Sequence, residues 1–192
     1  MAFCAPAGAN SLTFQGVTFE TLAVDANTLQ LTINNVLSGG TGNWSNATWL
    51  GALEIKGIGT VTSATLDSWT GINLTGWVSN VNNGLSGSSV GCTTGGTPGA
   101  CYTGTYLLGP GPAAMSDYMT FTMSFGGSGF SFDAPELKVQ FLETSSDTQT
   151  NSSLLSQPIT TPIPEPEIYA MMGIGLGLLG WVGRRRKQQA AA

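Results

Sequence analysis

The run Met119-Thr120-Phe121-Thr122-Met123-Ser124-Phe125 decides how the body of this chain folds. Large apolar side chains alternate with small hydroxyl residues, a period of two. Successive side chains of a β-strand point to opposite faces, so this stretch reads as a strand with one buried and one solvated side. The pattern recurs on both sides of it. Leu137, Val139 and Phe141 alternate with Lys138 and Gln140. Leu29, Leu31 and Ile33 alternate with Gln30, Thr32 and Asn34, and Leu53 and Ile55 with Glu54 and Lys56. Residues 12–19, 61–69, 102–108 and 130–132 have weaker strand character. Turn-forming stretches separate them: Ser38-Gly39-Gly40-Thr41-Gly42-Asn43, Asn82-Asn83-Gly84, Gly109-Pro110-Gly111-Pro112 and Gly126-Gly127-Ser128-Gly129. Residues 144–153 read as a hairpin or loop, and Leu154, Leu155 and Ile159 as a last edge strand. No body segment of about a dozen residues holds the 3.6-residue period of a helix. About seven to nine short strands divided by turns predict an all-β fold, an antiparallel β-sandwich of jelly-roll-like type.

Composition agrees with an exported β-protein. Only 9% of residues are charged, against roughly 25% in ordinary soluble proteins. Polarity rests instead on Ser, Thr, Asn and Gly. Residues 1–162 carry nine acids and two bases, Lys56 and Lys138. So acidic a surface does not neutralise a phosphate backbone, which excludes nucleic acid as a partner. The absence of histidine from the sequence removes Ser-His-Asp and Cys-His catalysis and the commonest zinc ligand. No catalytic, cofactor or metal residue is expected. Paired carboxylates would be the remaining catalytic device, but Asp117, Asp133, Glu136 and Asp147 are spread over loop-like regions and spacing selects no pair.

The C-terminal end has a different character. Pro162, Pro164 and Pro166 hold the approach extended, because each fixes φ and disfavours helix in the residue before it. An uncharged run follows at 168–183, and then Arg184-Arg185-Arg186-Lys187, four of the six basic residues in the chain. As a helix the run covers roughly 24 Å, short of a hydrocarbon core of about 30 Å. It reads as a marginal, temporary transmembrane anchor with its basic end in the cytoplasm. Gly173 and Gly177 form a GxxxG pair suited to a partner helix.

Pro164-Glu165-Pro166, the glycine-rich span and the arginine cluster together resemble the PEP-CTERM sorting signal of Gram-negative bacteria, over roughly residues 162–187. The resemblance implies processing by exosortase, a membrane protease, in bacteria that make exopolysaccharide and often biofilm or floc. Residues 132–141 resemble a stretch common just before the tail in such proteins, which implies a β-sandwich without assigned activity. The expected organisation is a signal-peptide remnant at 1–10 and the sandwich at 11–157. A Pro-rich linker follows at 158–167, a transmembrane helix at 168–183 and a basic cytoplasmic tail at 184–192. The expectation at the N-terminus is that Met1 is a mis-called start, since residues 1–9 look like the cleavage end of a signal peptide. The expected course is an inner-membrane-anchored precursor with a periplasmic body, then release to the cell surface or beyond.

Two further features belong to that setting. In an oxidising compartment Cys92 and Cys101 are a disulfide candidate, because the glycine-rich loop between them can bring the sulfurs together; free thiols are the alternative. Trp44, Trp49, Trp69 and Trp77 fall within 34 residues and are candidate glycan contacts, with exopolysaccharide as the partner. The competing role for tryptophan is to fill a sandwich core or its rim. The leading expectation is a non-enzymatic structural protein. A carbohydrate-binding module is the alternative, and a carboxylate-dependent hydrolase ranks behind both.

Overall fold

A computed structural model describes residues 9–81, 83–86, 90–94, 99–104, 111–145 and 154–160. The chain divides into two units, Met1–Thr161 and Pro162–Ala192, and the described residues all belong to the first. The linker from 161 onward, the transmembrane helix, the basic tail and residues 1–8 of the expected signal-peptide remnant lie outside the described residues.

In chain order the strands are β1 (Asn10–Phe14), β2 (Val17–Ala23), β3 (Thr28–Asn34), β4 (Trp49–Lys56), β5 (Thr60–Thr70) and β6 (Val78–Asn80). They continue with β7 (Asn83–Leu85), β8 (Cys92–Thr94), β9 (Gly99–Thr103), β10 (Ala113–Ala114), β11 (Tyr118–Ser128), β12 (Glu136–Leu142) and β13 (Leu154–Pro158). One short helix, α1 (Val36–Gly39), and a 3-10 turn at Gly42–Trp44 are the helical pieces among the described residues. The first sheet runs β1-β2-β3-β11-β5 and the second β13-β12-β4-β9-β6, with β10 also on β4; β7 and β8 pair separately. Every described pairing is antiparallel.

The alternating run lies in β11, between β3 and β5. Met119, Phe121 and Met123 stand opposite Ile33, Leu31 and Leu29, and all six are 0% exposed. The reverse face pairs Thr120 with Thr32, Thr122 with Gln30 and Ser124 with Thr28. Leu53, Ile55, Leu137, Val139 and Phe141 of the second sheet belong to the same buried cluster as these residues. Both sheets therefore share one core.

Two irregularities explain where simple alternation breaks. Leu50 and Leu53 both face the core although three residues apart, because the register shifts where Gln140 pairs with Ala52 and Phe141 with Leu50. Gly51 is the extra residue of that bulge. On β5 the register shifts at Thr122/Met123, leaving Asp67 unpaired between Ser68 and Leu66. Its carboxylate accepts hydrogen bonds from Ser124 Oγ (2.5 Å) and Thr65 Oγ1 (2.7 Å).

Several sequence expectations are corrected. Residues 12–19 are a hairpin, not one strand: Phe14 pairs with Val17 across Gln15 and Gly16. Both have positive φ, 46° and 80°, the geometry of a type I′ turn. A Cβ added at Gly16 would lie 1.9 Å from the Gly39 carbonyl oxygen, so that position requires glycine. Residues 130–132 form no strand; Phe130 and Phe132 pack from a loop against Phe125, at centroid distances of 6.2 and 5.9 Å. Gly126-Gly127-Ser128 continues β11 past a second bulge instead of turning, and Asn83-Gly84 starts β7. β9 ends at Thr103, and residues 105–110, 82 and 146–153 lie outside the described residues.

Candidate functional site

The outer face of the second sheet is covered. Ala52, Glu54 and Lys56 point away from the shared core, yet Glu54 is 0% and Lys56 9% exposed. The cover is the β7–β8 hairpin, which packs against β4, β9 and β12. Cys92 of β8 and Cys101 of β9 are bonded, their Cα atoms 5.9 Å apart, and with Ala52 and Leu85 they form a second small apolar cluster. Polar contacts complete the attachment. Leu85 N–H donates to Glu54 Oε2 (2.9 Å), Lys138 Nζ donates to the Leu85 carbonyl (3.2 Å), and Lys138 lies 3.7 Å from Glu54 Oε2. Gly91 N–H donates to Gln140 Oε1 (2.9 Å). Glu54 and Lys138 are cross-strand partners, so one ion pair holds Leu85 of the hairpin by both its N–H and its carbonyl. At Gly99 an added Cβ would lie 2.7 Å from the Ile55 carbonyl oxygen and 3.3 Å from Glu54 Oε1; β9 approaches β4 here too closely for any side chain.

Closing the Cys92–Cys101 loop, nine residues in sequence separation, is worth about 2–3 kcal/mol in the chain-entropy view. Reduction, or Cys92→Ser, is expected to lower the unfolding free energy measured in urea by that amount. The other disulfide-free form, Cys101→Ser, should match it within error; unchanged stability on reduction would contradict the assignment.

Lys56 and Glu136 form the next rung of the same ladder, at 2.7 Å, and Ser156 Oγ also donates to Glu136 Oε1 (3.0 Å). Burial works to raise the Glu136 carboxyl, but the hydrogen bonds from Lys56 and Ser156 outweigh it and hold the group below its ordinary 4.5. A carboxylate depressed on folding adds stability above its unfolded value and loses it as pH falls through the folded one. Glu136→Gln should therefore be less stable than the parent at pH 7, with the gap closing below pH 4.5. Parallel thermal melts across pH measure this; a gap that widens in acid would contradict it.

The other acids singled out in the sequence have local partners. Asp117 Oδ1 accepts from the N–H groups of Leu37 (2.9 Å) and Ser38 (3.0 Å), closing the start of α1. The Ser38 hydrogen bonds hold its carboxyl below the ordinary value. Asp133 accepts from Ser131 Oγ (2.9 Å), and Asp147 lies outside the described residues. Among the described residues no three His, Cys, Asp or Glu side chains gather as metal ligands.

The four tryptophans part company. Trp44 is 1% exposed, with its ring against Phe14, Phe19 and Phe141 at 5.3, 5.9 and 5.0 Å. It is corrected from glycan contact to core, since no face of the ring is free. Trp49 is half-buried at the start of β4, between Ala114 and Leu142. Trp69 and Trp77, also half-buried, come together in a cleft of about 270 Å³ with Leu66, Leu74, Val78 and Tyr102. The cleft forms because β6 lies beside β5, where Ser79 Oγ donates to the Ala64 carbonyl. A turn from Leu74 to Trp77 (Trp77 N to Leu74 O, 2.9 Å) presents the second indole. Burial, and then the charge of Asp67, push the Tyr102 phenol well above its ordinary value. Its hydroxyl donates to the Thr65 carbonyl (3.4 Å). Trp77 Nε1–H is buried without an acceptor. This pairing of Trp69 with Trp77 could not be read from spacing, because it depends on which strands become neighbours.

Among the described residues, which do not include the run at 168–183, no helix is long and apolar enough to cross a membrane. Against known proteins, residues 162–187 match the family model described as the PEP-CTERM protein-sorting motif. No curated protein and no solved structure matches the chain. The match takes in Pro164, Glu165 and Pro166 and ends on the cluster Arg184, Arg185, Arg186 and Lys187. Such a motif marks an exported protein that exosortase sorts, so the chain is a PEP-CTERM sorting-domain-containing protein.

Proposed function

We propose that this protein is an exported component of a Gram-negative envelope or extracellular matrix. Its body is a non-enzymatic sandwich with a structural role linked to exopolysaccharide or biofilm. The helix at 168–183 holds the precursor in the inner membrane. Exosortase cleaves near Pro164-Glu165-Pro166, and the body then passes from the periplasmic side to the cell surface or medium. The observation that carries this reading is the motif match at 162–187. A proline-stiffened approach gives a protease an extended backbone, and a short glycine-rich span suits an anchor that is later abandoned.

The jelly-roll reading of the body draws on strand order. β3-β11-β5 lie in one sheet and β4-β9-β6 in the other, so the chain changes sheet at each step from β3 to β6. The non-enzymatic reading draws on the acids, since Glu54, Asp117 and Glu136 are each bound to a structural partner.

Cell fractionation after a pulse of labelling tests the proposal, with the native gene compared with a version lacking residues 162–192. The native chain is expected first in the membrane fraction and then as a shorter species outside the inner membrane. The shortened gene should give a product that never enters the membrane fraction. Identical distributions for the two would contradict the proposal.

A further inference from the structure

We propose that the cleft between Trp69 and Trp77 is a binding site for one neutral sugar ring of a glycan. This goes beyond sorting and structural support, and it stands or falls independently of exosortase.

The lining joins two chemistries that few ligands satisfy together. Two indoles with Leu66 and Leu74 give flat apolar surface, suited to the C–H face of a pyranose. Ser79 lines the same cleft. Its hydroxyl proton is already committed, to the Ala64 carbonyl, which leaves its oxygen as an acceptor. Trp77 Nε1–H is the complementary donor, buried and without a partner, an arrangement that is costly until an acceptor arrives. A hydrocarbon ligand would leave that donor unpaired and strip water from the Ser79 hydroxyl. A polyol with one apolar face meets both requirements.

Charge narrows the ligand further. Among the described residues no Lys or Arg lines the cleft. The two lysines among the described residues are paired elsewhere, Lys56 with Glu136 and Lys138 with Glu54. The one charge acting on the cleft is Asp67, through its effect on Tyr102, and it opposes an anion. The ring is therefore neutral rather than a uronic acid or a phosphate ester. At about 270 Å³ the space is just below the ~300–1,000 Å³ of typical small-molecule pockets. That suits a single ring with the rest of the glycan outside.

The test uses the full-length chain, ¹⁵N-labelled at its tryptophan indoles, in a detergent without a sugar headgroup. Hexasaccharides of β-1,4-linked glucose, α-1,4-linked glucose and β-1,4-linked N-acetylglucosamine are titrated in, with a hexamer of mannuronic acid as the anionic comparison. The Trp69 and Trp77 N–H signals are expected to shift and saturate with at least one neutral oligomer, while Trp44 stays still. Trp77→Phe keeps an aromatic ring and removes the donor, and should weaken binding about tenfold; Trp69→Ala should weaken it more. An unchanged Trp44 signal reports that each variant is folded, and Trp49→Ala should bind as the parent does. The proposal is overturned if no neutral oligomer moves either cleft signal up to roughly 10 mM. It is equally overturned if Trp77→Phe and Trp69→Ala bind as tightly as the parent, or if the mannuronic acid oligomer binds best.

Discussion

Trp44→Ala is expected to destabilise the body by about 3–5 kcal/mol, the usual cost of removing a large buried aromatic. The indole is 1% exposed and joins the two sheets, since Phe19 comes from β2 of the first and Phe141 from β12 of the second. Phe14, in the edge strand β1, closes over it at 5.3 Å. Truncation removes three aromatic contacts at once and leaves a void that both sheets would have to move to fill. Domains of this size are stable by about 5–15 kcal/mol, so the loss is a large share of the total. Urea unfolding followed by far-UV circular dichroism measures it, with half-buried Trp49→Ala as the milder comparison. A loss below about 1 kcal/mol would mean that Trp44 does not bridge the sheets.

The second large effect concerns the covered face. Glu54→Ala is expected to cost about 3–5 kcal/mol, because breaking a buried ion pair leaves its partner uncompensated. Lys138 Nζ would keep the Leu85 carbonyl, but the Leu85 N–H and the ammonium charge would both lose Glu54. Replacing both members, Glu54→Leu with Lys138→Met, should recover most of the loss and end within about 1–2 kcal/mol of the parent. The pair's own desolvation is expensive, and Glu54 Oε1 has no hydrogen-bond partner to offset it. A double-mutant cycle read by urea unfolding gives the coupling. A near-neutral Glu54→Ala would mean that the ion pair does not hold the hairpin in place.

Alternation exposed the strands that need only local information. β3, β11 and β12 are readable in Leu29 to Ile33, Met119 to Phe125 and Leu137 to Phe141, since each has one face in the common core. The same rule misplaced Glu54. It stands on the polar side of β4, and alternation assigns that side to water, whereas the β7–β8 hairpin arrives from thirty residues further along and covers it. A pattern confined to one strand holds no record of a second layer. Gln15-Gly16 lacks the Asn-Gly signature of a type I′ turn, which is why 12–19 read as continuous. Gly126 and Gly127 carried the composition of a turn but continue β11 opposite a bulge in β5. For the tryptophans, clustering in sequence indicated aromatic density and nothing of its direction. The turn at Gly42–Trp44 sends Trp44 inward, and strand adjacency gathers Trp69 with Trp77. The sorting motif was legible because its information is the linear order of proline, apolar span and basic cluster, with no folding needed to assemble it.

The central claim is that the tail is an address that is read and then removed. The intact mass of the protein purified from an exosortase-positive strain and from an exosortase-deleted one tests it most directly. The account predicts a C-terminus near Pro164-Glu165-Pro166 in the first strain and one ending at Ala192 in the second. A chain ending at Ala192 in both strains, or shortened equally in both, would contradict it.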